Sequence, residues 1–139
     1  MGTNFYLATK VKELKERYFG NDYVLTDTPD WGYEIHIAKT SMGWKPLFQA
    51  HQNAFRSVAE LKALYEAGGF VIYDEYREFY NWDEFEKRVV KFNEKPYKSP
   101  NGEDLPLSHF DERITGGHLK ESDYFKDDQG YEFTWHEFC

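Results

Sequence analysis

His36, Lys39, Thr40 and Ser41 fall within six residues, with Tyr33 just before them and Trp44 just beyond. That grouping suits an anion. Hydroxyls and turn amides donate hydrogen bonds, and an ammonium adds a point charge. Tyr33 and Trp44 supply flat rings on which a base can stack. Asp74 and Tyr76 are the distant candidates for the same pocket. Together these residues point to a small, nucleotide-like ligand. They are not a P-loop, because the glycines and the Gly-Lys-[Ser/Thr] order are missing. The same stretch also suits a plain hairpin, with its hydroxyls bonded to their own backbone and its Trp packed inside.

Other chemistry is weaker. Asp74 and Glu75, with His36 or His51, are the residues a divalent-metal hydrolase would use. Neighbours on a strand point to opposite faces, so the two acids do not readily share one ion. No metal ligand set is assigned and no cofactor is expected. His109, His118 and His136 lack ligand spacing, and Ser41 lacks a Gly-x-Ser-x-Gly elbow. Cys139 is the single cysteine, which excludes an internal disulfide and a zinc–cysteine cluster. No catalytic residue is assigned, and a binding protein is favoured over an enzyme.

Elements that would position these groups follow from periodicity. Asn4–Thr9 reads as a strand, and residues 10–19 as a helix with Val11, Leu14 and Tyr18 inward. A turn is expected around Asp27-Thr28-Pro29-Asp30. Tyr33–Lys39 is the strongest strand. Strict alternation places Tyr33, Ile35, Ile37 and Lys39 on one face, and Glu34, His36 and Ala38 on the other. A turn at Thr40–Gly43 returns the chain into a strand over Trp44–His51. Ser57 with Glu60, and Asn81 with Glu84, are capping pairs that open two helices. Gly68-Gly69 stops the first of them, and Phe70–Tyr76 is a further strand. Trp82, Phe85, Val89 and Phe92 form the stripe of the second. Residues 93–120 carry repeated Pro and Gly and read as a long irregular loop. A closing hairpin spans residues 124–138, with Tyr131, Phe133 and Trp135 on its buried face. The expectation is a single α+β domain over residues 1–139, with a mostly antiparallel sheet, two or three helices and a C-terminal hairpin.

The chain holds 139 residues, and its four Trp, eleven Tyr and twelve Phe supply ample apolar area. Formal charge is −8. Residues 1–100 carry 15 acids against 14 bases, whereas residues 101–139 carry 10 against 3. Without a basic field, direct nucleic-acid binding is not expected. Asp111, Glu112, Asp127 and Asp128, with Tyr124 and Phe125 between, are candidates for gripping a basic protein partner. A solvated acidic face is the plainer reading of that charge. No apolar run suffices to cross a bilayer, so no membrane role is expected, and a single cysteine with no internal disulfide leads to the expectation of a cytoplasmic setting.

Three blocks resemble a family of small phage and prophage proteins: Met1–Leu7, His36–Trp44 and Ile72–Tyr76. Its members begin MGTNYY, carry a block like HIGKSSxGW, and later read I-x-D-E-Y-G. Many also hold a Cys-x-x-Cys knuckle that this chain lacks, and Arg77 stands where the family has its last Gly. The resemblance implies a virus-encoded accessory protein acting in a bacterial cytoplasm. The expected function is interference with a host defence or regulatory system, in the manner of an anti-CRISPR protein. It would sequester a nucleotide-like molecule or occlude a host protein. A metal-dependent nucleotide hydrolase and a structural or assembly factor, possible as a homo-oligomer, are the alternatives.

Overall fold

Two capping pairs predicted from the sequence open two of the helices that cover the sheet. In the computed structural model, which describes residues 2–20, 24–25, 32–41, 46–91 and 124–135, Ser57 accepts from the Glu60 amide at 3.0 Å. It opens α2, Val58–Glu66. Asn81 accepts from the Glu84 amide at 2.8 Å, and the Glu84 carboxylate accepts from the Asn81 amide at 3.1 Å. That reciprocal box opens α3, Trp82–Phe85.

Among the described residues the sheet has eight strands. They are β1 (Gly2–Thr9), β2 (Val24–Leu25), β3 (Tyr33–Ser41), β4 (Leu47–Gln49), β5 (Val71–Asp74), β6 (Phe79–Tyr80), β7 (Tyr124–Lys126) and β8 (Glu132–Thr134). Their spatial order is β6-β5-β1-β3-β4-β8-β7, with β2 paired to β3. All pairings are antiparallel except β4 with β8. The α+β class and the mostly antiparallel sheet are therefore as expected.

One sheet face carries the core. Phe5, Leu7, Ile35, Ile37, Phe48, Ile72 and Phe133 meet Phe19, Val58, Leu61, Leu64, Phe85, Val89 and Val90 from the helical side. Each buried ring or branched chain contributes about 1.5–3 kcal/mol of apolar transfer.

Both short helices widen at their ends. The α1 turn, Lys12–Leu14, runs into a π-helical turn over Lys15–Phe19. Likewise α3 continues as a π turn over Glu86–Val90, closed by the Lys91 amide on Glu86 O at 2.8 Å. The extra residue lets the neighbours Val89 and Val90 both reach the core. On the first helix Val11 is exposed, not inward as its spacing predicted, and Phe19 takes the buried place.

Two alternations are overturned. β8 was expected to bury one face, with Glu132 and Thr134 outward and Trp135 inward. Instead Glu132, Phe133 and Thr134 are all buried, and Trp135 is 41% exposed. The reason is position: β8 lies between β4 and β7, not at an edge. The second overturned alternation concerns β3 and shapes the site. No helix among the described residues is long and apolar enough to cross a membrane.

Candidate functional site

Register shows what the strands present. Phe5 pairs with Ala38 but Tyr6 pairs with His36, so β3 holds one extra residue, Ile37. This β-bulge reverses the phase of everything after it. Ala38 and Thr40 join Ile35 and Ile37 among the buried positions, while Lys39 stays half-buried like Glu34 and His36. The predicted partition is thus corrected at two residues. Lys39 shares the face of His36, and Ala38 lies in the core.

Rows across that second face can be read from the pairing. Lys39 stands opposite Asn4. Asn4 in turn bonds through its amide to Glu75 Oε1 at 2.9 Å. In the next row His36, Tyr6 and Tyr73 lie side by side. The Tyr6 and His36 rings stack at 5.0 Å, Tyr6 and Tyr73 sit 6.0 Å apart, and Phe79 meets the Tyr73 ring edge-on at 5.6 Å. Beyond them Glu34 pairs with Ala8, which pairs with Val71. The Tyr73 hydroxyl donates to Glu34 Oε2, two strands away. Small Ala8 between them leaves room for the ring to cross.

Arg77 completes this cluster. Its Nη1 lies 3.3 Å from Glu34 Oε2, and its guanidinium carbon 5.0 Å from the Tyr73 ring centroid. Burial raises the Tyr73 pKa, and the bonded Glu34 carboxylate raises it further, so the phenol stays protonated. His36 is lowered to about 4, chiefly by burial and further by nearby His51 and Lys39, against a hydrogen bond to the Ala38 backbone. Its imidazole is neutral at pH 7. Its backbone carbonyl accepts from His51 Nε2 at 2.7 Å.

The six described pocket candidates do not converge. His36 and Lys39 share the second face. Thr40 is 6% exposed and lies on the core side of the bulge. Tyr33 packs against the core from the helical side, under the Lys15 ammonium at 5.0 Å. Asp74 is 2% exposed and committed to its own turn. It accepts from the Tyr76 and Glu78 amides at 2.8 and 3.0 Å, and from the Tyr80 hydroxyl at 2.8 Å. Tyr76 is 66% exposed. Of Ser41 only the backbone is described; Trp44 and the corner at residues 42–45 lie outside the described residues.

The acidic candidates also divide. Asp127 is structural: Oδ2 accepts from the Val58 amide at 3.0 Å, and Oδ1 from the Gln129 and Tyr131 amides at 3.0 and 2.9 Å. It closes the β7–β8 turn and caps the first amide of α2. Phe125 stacks on Phe133 at 5.3 Å and Tyr124 is half-buried on β7, so neither projects as an anchor. Asp128 is exposed. Asp111 and Glu112 lie outside the described residues, as do His109, His118, His136 and Cys139.

Sequence reasoning missed the Tyr6–Tyr73–Glu34–Arg77 cluster and the exposed Phe79. One signal was legible: Tyr6 and Tyr73 are the outward members of their strand alternations. The turn joining β5 to β6 carries it outward. The Asp74 amide bonds Glu78 O and the Arg77 amide bonds Asp74 O, both at 3.0 Å, and Arg77 adopts φ 66°. This is a three-residue hairpin loop whose closing position is left-handed.

Among the described residues no three His, Cys, Asp or Glu gather as a metal site. No protein family, curated protein or solved structure matches the chain.

Proposed function

We propose that this chain is a non-catalytic binding protein that occludes a host protein, with the β5–β6 hairpin as its contact surface. One observation carries the reading: Tyr76 and Phe79 are 66% and 52% exposed on either side of a pinned arginine. Tyr, Phe and Arg are enriched where interfaces concentrate their energy. Here they ride on a turn already locked by Asp74, so little ordering remains to be done on binding. The bacterial-virus setting and the cytoplasmic location rest on the three blocks that resemble phage proteins.

The test is capture from bacterial lysate by immobilised protein. The expected result is a partner retained by the natural protein and lost from Tyr76→Ser and Phe79→Ser, with both variants melting near the parent temperature. Equal capture by well-folded variants overturns the reading.

A second reading, sequestration of a small nucleotide-like anion, draws on Lys39. This half-buried ammonium shares a face with neutral His36 and forms no ion pair among the described residues. Titration calorimetry against a nucleotide panel decides it: binding that Lys39→Ala abolishes supports the site, and silence across the panel ends it. The hydrolase alternative is weakened because the Asp74 carboxylate already accepts three hydrogen bonds from its own hairpin.

A further inference from the structure

Two exposed aromatic rings on a hairpin call for a partner, and the charges around them say which chemistry it carries. Glu75 and Glu78 flank Tyr76 and Phe79, and Asp83 and Glu84 follow in the first turn of α3. All four are exposed, and none forms an ion pair among the described residues. Glu75 and Glu84 each place one carboxylate oxygen on a backbone amide, which leaves their negative charge uncancelled. By contrast Glu16, Glu66, Glu86 and Glu34 each have a basic partner. Glu13, Glu60 and Asp128 also form no ion pair among the described residues, but only beside the exposed rings do four such acids fall within ten residues of sequence.

The protein itself supplies the template for what fits. Arg77 lies over one face of Tyr73 while its fork reaches the Glu34 carboxylate. The hairpin's outer surface offers the same two residue types, exposed rings at Tyr76 and Phe79 and exposed carboxylates at Glu75 and Glu78. Guanidinium satisfies both parts: it stacks on a ring and bonds a carboxylate in its own plane. An ammonium satisfies only the charge.

We propose that the β5–β6 hairpin and the first turn of α3 receive an arginine-rich segment of a protein partner, of the chemistry that grips nucleic-acid phosphates. The proposal deepens the protein-contact reading above and rests on it. Carboxylates would stand where the partner expects phosphates, and rings where it expects bases.

Fluorescence anisotropy with labelled nona-arginine and nona-lysine peptides tests the idea on the full chain. Nona-arginine is expected to bind about tenfold more tightly than nona-lysine, because only guanidinium gains the stacking contribution. The double variant Glu78→Gln with Phe79→Ser is expected to lose that preference, while Glu13→Gln, an exposed acid on α1, keeps it. Thermal melts confirm that each variant is folded. Equal affinity for the two peptides, or a preference that survives the double variant, overturns the proposal, because net charge alone then explains binding. The two readings fail separately. If lysate capture depends on Phe79 while the peptides are not distinguished, occlusion stands and the arginine partner falls. If capture is independent of Phe79 as well, both fall.

Discussion

Arg77 holds a backbone conformation that costs an L-residue about 1–2 kcal/mol, and glycine nothing. Its side chain offsets the strain through Tyr73 and Glu34. Arg77→Ala keeps the strain and loses both contacts, so urea unfolding should show a loss of about 1 kcal/mol. Arg77→Gly loses the contacts but relaxes the backbone, and its measured change should be smaller. The opposite order would mean that the left-handed backbone carries no strain, and no loss in Arg77→Ala would mean that the ion pair is inert. His36 gives a second prediction at this scale. Its folded pKa, about 4, lies below the ordinary 6.5, so the unfolded chain takes up the proton first. Its contribution is intact above pH 6.5 and is lost as pH falls toward 4. The urea midpoint should drop across that window, and His36→Gln should flatten the drop. A variant profile parallel to the parent's would assign the titration elsewhere.

Two carboxylates organise whole elements. Asp74 shapes the β5–β6 turn from inside. Asp74→Ala strips acceptors from two amides and a tyrosine hydroxyl, and a loss of about 3 kcal/mol is expected from denaturant melts. Binding by the hairpin should weaken as well, since Tyr76 and Phe79 would lose their fixed presentation. Asp127 ties the β7–β8 hairpin to the start of α2 across 69 residues. Asp127→Ala should cost about 2 kcal/mol and speed hydrogen exchange at the Val58 and Tyr131 amides. Unchanged exchange at Val58 would show that water replaces the cap. Sequence spacing made both helix starts legible, because Ser57 and Asn81 need partners only three residues away. The π turns were not legible: a widened turn leaves the residue types untouched and moves only their phase, as Val90 shows. The bulge hid Lys39 for the same reason, since strict alternation carries no mark of one inserted residue.

At the scale of the molecule, the sheet class was readable from the order of strands and helices, but strand neighbours were not. Nothing local distinguishes a central strand from an edge, so β8 was expected to be half wet. Long-range charge belongs here too. With a formal charge of −8, association with a basic partner should slow several-fold between roughly 0.05 and 0.5 M salt, while dissociation changes little. Rates measured by stopped flow decide this; a salt-insensitive on-rate would leave recognition to the aromatic rings alone. The parallel seam has its own implication. Leu47, Phe48 and Gln49 obtain their neighbours on one side only from Glu132, Phe133 and Thr134, which emerge from a ribosome long afterwards. Until then a bare β4 would template any extended chain in reach, and the nascent protein must wait or be chaperoned before its sheet can close.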